Sequence, residues 1–143
     1  MESPIANRES RIRRIAVIGA GTMGHGIAQV AAMAGFDTVL TDANPSAIAA
    51  GRERIRANLA GAVRRGKIDA DAVDAVLNRI TGAEDLSGAV RDAHLIVEAV
   101  LEDLDVKRAL FARVDAAVSS DAILATNTSS YATVPVSHPL DSA

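Results

Sequence analysis

The chain has 143 residues, a formal net charge of -3 and 49% hydrophobic residues. That length suits one domain with its own core, and the composition is typical of a globular protein rather than a disordered one. The scarcity of aromatic residues and the mild charge argue against nucleic-acid binding, and no apolar run approaches the length of a membrane span. The chain has no cysteine, which excludes disulfides and thiolate metal sites and favours a cytoplasmic location.

Strand and helix patterns alternate along the chain. Short apolar, β-branched runs such as residues 14–19 (RIAVIG) are typical of strands buried on both faces, and apolar residues at helical spacing, as in Met23, Ile27 and Val30, predict helices. The predicted strands are residues 14–19, 37–41, 80–82, 94–100 and 122–126, and the predicted helices are residues 22–34, 45–65, one opened by Asp69 and Asp71, and one after the fourth strand. This alternation predicts an α/β domain of Rossmann type, a doubly wound parallel sheet.

A glycine-rich motif joins the first predicted strand to the first predicted helix. It consists of Gly19, Ala20, Gly21, Thr22, Met23 and Gly24. In a G-x-G-x-x-G at this junction, Gly19 permits a tight turn, Gly21 the approach of a pyrophosphate, and Gly24 close packing of helix on strand. Free amides at the helix N-terminus favour an anion. The motif therefore predicts a dinucleotide site, and the alternative is a glycine-rich turn without a ligand.

An acidic residue, Asp42, closes the second predicted strand. Its carboxylate can accept hydrogen bonds from the ribose hydroxyls of an adenosine. The next two residues, Ala43 and Asn44, bring no positive charge, so nothing there would balance a 2'-phosphate. The predicted cofactor is therefore NAD rather than NADP.

Other polar residues allow two interpretations each. Glu98 and Glu102 lie at the end of the fourth predicted strand, where they could form an acid–base pair or, for Glu102 alone, line a ligand crevice. His25, just inside the first predicted helix, is expected to face solvent rather than a phosphate. A basic group in and after the second predicted helix is either a solvated face or a site for a phosphate-bearing substrate such as CoA. Its members are Arg52, Arg54, Arg56, Arg64, Arg65 and Lys67.

Three separated segments together resemble the 3-hydroxyacyl-CoA dehydrogenases. They are IAVIGAGTMGHGIAQVAAMAGFDTVLTDAN, EAVLEDLDVKRALFARVD and ILATNTSS. The similarity spans residues 12–130, with residues 1–11 expected to be a mobile leader and residues 131–143 a divergent tail. It implies NAD-dependent oxidation of a 3-hydroxyacyl-CoA, such as 3-hydroxybutyryl-CoA, to the 3-oxoacyl-CoA in fatty-acid or butanoate metabolism.

The resemblance also implies roles for residues toward the cofactor. In the family's pattern, residues 19–24 and Asp42 hold the adenosine and pyrophosphate of NAD. The positions matched by Glu102 and Lys107 also contact NAD.

The substrate roles implied by the resemblance fall on three further residues. Ser129 matches the catalytic serine that hydrogen-bonds the 3-oxygen of the substrate near the nicotinamide. Asn58 and Arg65 match positions that meet the CoA moiety, where the family usually has a serine and a lysine. Arginine can still bind phosphate, and asparagine can still donate a hydrogen bond.

The sequence departs from the family after Ser130. The family's catalytic histidine belongs to an H-F-F-N-P-like segment, whereas residues 131–139 read YATVPVSHP, and His138 follows Ser129 too closely for that role. The partner glutamate and the carboxy-terminal helical domain have no counterpart in this sequence. The chain alone is therefore expected to bind NAD and turn over poorly, unless a separate carboxy-terminal-domain chain or a homodimer completes it. The alternatives are a catalytically incomplete NAD-binding module, a truncated fragment, or a dehydrogenase acting on another hydroxy acid.

Overall fold

The computed structural model describes residues 11–100 and 103–127. The strands are β1 (Arg14–Ile18), β2 (Asp37–Thr41), β3 (Ile80–Ala83), β4 (Leu95–Glu98) and β5 (Ile123–Thr126). The helices are α1 (Thr22–Met33), α2 (Pro45–Arg64), α3 (Ala70–Asn78), α4 (Leu86–Val90) and α5 (Leu104–Ala117). All five strands pair in parallel, in the order β3-β2-β1-β4-β5. The predicted doubly wound parallel sheet is confirmed.

The carboxyl ends of the central strands are level with one another. Ile18, the last residue of β1, pairs with Thr41 on one side and Glu98 on the other, and Glu98 pairs with Thr126. The chain builds outward from β1 through β2 to β3 and then returns to place β4 on the other side of β1. This reversal creates a crevice at the carboxyl ends of β1 and β4, where ligands bind in sheets of this kind.

The core has one layer on each face of the sheet, and β1 contributes to both. Ile15 and Val17 face the layer with α1, α2 and α3, whereas Ala16 and Ile18 face the layer with α4 and α5. Because side chains alternate along a strand, only a strand covered on both faces buries consecutive apolar residues. The uninterrupted apolar run in the sequence therefore predicts correctly that β1 is buried on both faces.

Helix α1 is present where predicted, but only part of its predicted apolar face is buried. Ile27 packs against the core, whereas Met23 is 56% exposed and Val30 is 67% exposed. The buried residues are Gly24, Ala28, Ala31 and Ala32. Small side chains on this face let the helix lie close to the sheet, so Met23 and Val30 lie outward and do not mark the core.

The structure adds one helix that the sequence pattern does not predict. Helix α4 has only five residues, too few to show a helical period, and it begins where the Asp85 carboxylate accepts a hydrogen bond from the Gly88 amide at 3.0 Å. Strand β4 is also shorter than the predicted residues 94–100. Among the described residues, no helix has the length and apolar character to cross a membrane.

Candidate functional site

The turn between β1 and α1 depends on two glycines that are in close contact with backbone. Gly19 has a φ of 104°, and a Cβ at this residue would lie 2.6 Å from the Ala99 carbonyl oxygen. A Cβ on Gly24 would overlap the Gly19 carbonyl oxygen, because α1 packs directly on the turn. Both positions therefore exclude a side chain, for the reasons that the motif predicts.

Gly21 has the opposite surroundings. A Cβ there would meet no atom within 4 Å, and the residue is the N-cap of α1 without a side-chain cap. The first turn of α1 also contains no acidic residue. The start of α1 thus borders open space at Gly21, and its first turn carries no acidic side chain, which suits an anion such as a pyrophosphate.

The Asp42 carboxylate is held by two backbone amides. One oxygen accepts a hydrogen bond from the Ala20 amide at 2.8 Å, and the other accepts one from the Asn44 amide at 2.9 Å. Asp42 therefore ties the glycine turn to the start of α2. Because each carboxylate oxygen can accept more than one hydrogen bond, both oxygens keep capacity for ribose hydroxyls.

A cavity of about 650 Å³ opens beside these residues at the carboxyl edge of the sheet. This volume lies within the usual range for small-molecule sites. Its lining comprises Ile18, Gly19, Gly21, Thr41, Asp42, Ala43, Glu84, Asp85, Leu86, Ala99, Val100, Val106, Ala109, Leu110 and Arg113. Three exposed charged residues on the lining, Glu84, Asp85 and Arg113, were not singled out from the sequence. They reach the cavity only through the packing of α4 and α5.

A buried ionic cluster lies at the ends of β4 and β5. The side chains of Glu98 and Lys107 are fully buried, and Lys107 Nζ donates to Glu98 Oε1 at 3.0 Å. The Thr126 hydroxyl donates to the same oxygen at 2.5 Å, and the Val100 amide donates to Glu98 Oε2 at 2.6 Å. Glu98 is thus committed to neighbouring groups, so the described part of the site does not offer it as a free base.

Asn58 and Arg65 lie outside this cavity. Both are exposed in the second half of α2 and just after it, and Asn58 donates a hydrogen bond to Gln29 Oε1 of α1 at 3.1 Å. Arg65 forms the C-cap of α2. At 1.5 Å per residue, the helix places Arg65 roughly 30 Å from Pro45 near the cavity. The two residues could therefore meet only an extended ligand that reaches beyond the cofactor cavity.

Four further residues are candidates for a role in the site, and the structure describes two of them. His25 is half-buried, and its Nδ1 lies 2.7 Å from the Gly21 carbonyl oxygen, so it packs against the turn rather than facing solvent freely. Lys107 is not among the lining residues and contacts Glu98 instead. Glu102 and Ser129 lie outside the described residues, so their roles stay predictions.

The glycine turn, Asp42 and the cavity occur in a sequence that matches a known protein family. The family model "3-hydroxyacyl-CoA dehydrogenase, NAD binding domain" matches residues 14–141. The chain belongs to this family. The resemblance drawn from the three sequence segments is thereby confirmed.

Relatives of this NAD-binding domain include longer enzymes. A 3-hydroxybutyryl-CoA dehydrogenase of Mycobacterium tuberculosis is 43% identical over 120 residues, which are 83% of this chain and 42% of the relative. A probable 3-hydroxyacyl-CoA dehydrogenase of Caenorhabditis elegans is 39% identical over 84% of this chain and 42% of its own length. The chain thus spans about two fifths of the length of these relatives.

Solved structures show the same fold. The crystal structure of Mycobacterium tuberculosis FadB2 superimposes with a TM-score of 0.86 at 41% identity, covering 90% of this chain and 45% of that one. The (S)-3-hydroxybutyryl-CoA dehydrogenase of Ralstonia eutropha gives the same TM-score at 29% identity, with the same coverage of each chain.

NAD is the cofactor of this family's domain, and the residues present suit it. The open space at Gly21 admits a pyrophosphate close to the backbone, and Asp42 presents fixed acceptors at the edge of the same cavity. Within the part of the chain that the structure describes, Glu84 and Asp85 add negative charge to the lining, and with Asp42 they outnumber its one cation, Arg113. This charge distribution favours a ribose with free hydroxyls over one with a 2'-phosphate.

Proposed function

We propose that this chain supplies the NAD-binding domain for oxidation of a 3-hydroxyacyl-CoA to the 3-oxoacyl-CoA, with 3-hydroxybutyryl-CoA as the representative substrate. The proposal is carried by a glycine turn and an oriented Asp42 at one cavity, in a chain of this family. A role in fatty-acid or butanoate metabolism, a cytoplasmic location, and completion by a separate chain or a second copy belong to the same proposal.

The proposed cofactor roles are supported by the geometry of the turn. Within residues 19–24, the amides from Gly21 onward bind the pyrophosphate, because the Gly19 amide donates to the Thr41 carbonyl oxygen and the Ala20 amide to Asp42. The Asp42 carboxylate accepts hydrogen bonds from the adenosine ribose. Glu102 is assigned to NAD as the family pattern has it. The family pattern gives Lys107 the same role, but its fully buried side chain contacts Glu98 instead, so Lys107 is assigned to support of the site and not to contact with NAD. When bound, NAD accepts the hydride that leaves C3 of the substrate.

The substrate roles fall on residues beyond the cavity. Ser129 hydrogen-bonds the 3-oxygen of the substrate, and it follows β5, whose carboxyl end is level with that of β4 beside the glycine turn. Asn58 and Arg65 contact the CoA moiety at the far end of α2, among several exposed arginines. This separation suits an extended thioester, with its reactive end near the sheet and its nucleotide end along the helix.

A second candidate function is an NAD-binding module that does not turn over by itself. The sequence of residues 131–139, which lacks the H-F-F-N-P-like pattern, favours it. A missing general base alone lowers a rate by about a hundredfold or more.

Enzyme assays separate the two candidates. NADH formation from 3-hydroxybutyryl-CoA is followed with the chain alone and with an added carboxy-terminal domain from the Mycobacterium tuberculosis relative. We expect little turnover alone and a gain of at least about tenfold on addition, since a closing domain orients the substrate. NAD binding without turnover under both conditions would favour the second candidate, and the Asp42→Ala variant controls for NAD-independent signal.

A further inference from the structure

The buried Glu98 carboxylate connects three elements around the NAD cavity. It ends β4, and it accepts hydrogen bonds from Lys107 of α5, from Thr126 of β5 and from the Val100 amide in the segment after β4. Both oxygens are used, and the side chains of Glu98 and Lys107 have no solvent exposure.

Stability alone does not account for such a pair. Removing two charges from water costs several kcal/mol per ion, and well-packed apolar residues often replace a buried ion pair without loss. Unsatisfied buried polar groups are costly, so such a cluster holds its members in the arrangement that satisfies their hydrogen bonds.

The arrangement that Glu98 fixes includes a wall of the cavity. Val100, whose amide Glu98 accepts, and Ala99 both line the cavity. The Ala99 carbonyl oxygen packs against Gly19 so closely that a Cβ there would lie 2.6 Å away. A shift of the peptide between Ala99 and Val100 would therefore move the wall and press on the glycine turn.

A second part of the lining is connected to the same carboxylate. Helix α5 contributes Val106, Ala109, Leu110 and Arg113 to the lining. Lys107 lies in the first turns of that helix and donates to Glu98. One buried carboxylate thus sets the position of the strand-side wall and the helix-side wall together.

We propose that Glu98 is a positioning residue for NAD binding, which acts by holding the Val100 amide and thereby the cavity wall beside the glycine turn. The inference rests on the proposed NAD site in this cavity and adds a residue that determines its shape. Glu98 does not touch the cofactor, so its removal alters affinity through the wall.

Two neutral double variants isolate this function from the ion pair. Glu98→Gln with Lys107→Met keeps a side-chain oxygen that can accept from the Val100 amide, whereas Glu98→Leu with Lys107→Met does not. Both remove both charges, so neither leaves an unpaired buried ion. Far-UV circular dichroism first verifies that each variant is folded, and calorimetric titration then gives its Kd for NAD.

We expect the leucine variant to bind NAD about tenfold more weakly than the glutamine variant, the effect of one hydrogen bond on the geometry of the site. Equal Kd values in two folded variants would overturn the role of Glu98 while leaving the NAD site in place. Failure of the wild-type chain to bind NAD would instead reject the proposed cofactor site itself.

If the leucine variant does not fold, amide hydrogen exchange of the wild-type chain decides the matter. We expect the Val100 amide to exchange slowly without NAD and more slowly with it. Rapid exchange of that amide in the free chain would contradict the proposal, because a wall held by Glu98 requires the bond to be formed before NAD arrives.

Discussion

Two glycines of α1 lie two residues apart in quite different surroundings. A Cβ at Gly24 would overlap the Gly19 carbonyl oxygen, whereas a Cβ at Gly26 would meet nothing within 4 Å. We expect Gly24→Ala to lower the free energy of unfolding by about 1–3 kcal/mol through overpacking, and to weaken NAD binding because the turn must move. Chemical denaturation and calorimetric titration measure the two effects.

Gly26→Ala is the matched control for this substitution. It adds the same methyl group to the same helix in open space, and alanine in a helix interior is favoured over glycine by about 0.5–1 kcal/mol. We expect equal or higher stability and unchanged NAD affinity. Similar losses of stability and of NAD affinity in both variants would show that α1 tolerates no added methyl group at either position. The contact between Gly24 and Gly19 would then not be the cause.

Asp42 combines a structural and a binding role. In Asp42→Ala the amides of Ala20 and Asn44 lose their acceptor, the ribose loses its hydrogen bonds, and the charge that opposes a 2'-phosphate disappears. We expect the Kd for NAD to rise by about tenfold or more and the preference for NAD over NADP to narrow, since a charge-assisted hydrogen bond contributes about 1.5–3 kcal/mol.

The control for Asp42→Ala is Asp71→Ala, an exposed aspartate in the first turn of α3. It makes the same change in net charge away from the cavity lining, so NAD affinity and cofactor preference should stay as in the wild type. If the Asp42→Ala variant keeps the wild-type ratio of the Kd for NADP to the Kd for NAD, Asp42 does not determine which cofactor is preferred.

At the residue level, the sequence predicts what depends on the backbone and misses what depends on packing. Gly19, Gly24 and Asp42 belong to a motif whose spacing reflects a fixed turn, and the structure places them together. Arg113 is one of several charges on α5, and only the packing of that helix turns it toward the cavity. Glu98 is recognised as polar at a strand end, but its commitment to Lys107 depends on a contact between distant elements.

Among the elements, α5 has a well-defined cap that can be tested. The Asp103 carboxylate accepts a hydrogen bond from the Val106 amide at 3.1 Å and forms the N-cap of the helix. We expect Asp103→Ala to lower stability by about 1 kcal/mol and to weaken NAD binding slightly, because α5 forms one wall of the cavity. Thermal unfolding with and without NAD measures both.

The Asp105→Ala variant distinguishes the capping hydrogen bond of Asp103 from the effect of negative charge at the N-terminus of α5. Asp105 is in the first turn of the same helix but is not its cap, so it contributes only through the helix dipole, about 0.3–1 kcal/mol. If Asp105→Ala costs as much as Asp103→Ala, the hydrogen bond to Val106 is not the source of the stabilisation.

The predicted helices and strands agree with the structure where the pattern of apolar residues extends over enough residues to define a period. Strand β2 and helix α2 begin where the sequence indicates, and Asn44 caps α2 by accepting from the Ser46 amide. Helix α4 has too few residues for a period. The fully buried residues of α1 are missed because close helix–sheet packing favours glycine and alanine there, and of the large predicted residues only Ile27 packs against the core.

At the scale of the molecule, α2 links the cofactor cavity to a basic surface. We expect Arg65→Ala to raise the Kd for CoA severalfold, with an effect that shrinks at high salt because the contact is an exposed charge pair. Arg52 is the control, an exposed arginine of the same helix that packs near Gly82 of β3. Equal effects of the two substitutions would indicate a general attraction of CoA to positive charge.

The overall topology is predictable because alternating strands and helices allow few arrangements. The order β3-β2-β1-β4-β5 places the glycine turn at the point where the chain reverses direction across the sheet. The division into residues 1–11, 12–130 and 131–143 stays a prediction. Sequence patterns of one chain do not determine what completes a site when the relatives are more than twice as long.

An NMR titration of the labelled chain with NAD tests the proposed cofactor site most directly. We expect saturable shifts concentrated in the amides of residues 19–24, Asp42, Ala99 and Val100, with weaker binding of NADP to the same residues. Shifts confined to the second half of α2, or no shifts at NAD concentrations that saturate related domains, would contradict an NAD site at the carboxyl edge of the sheet.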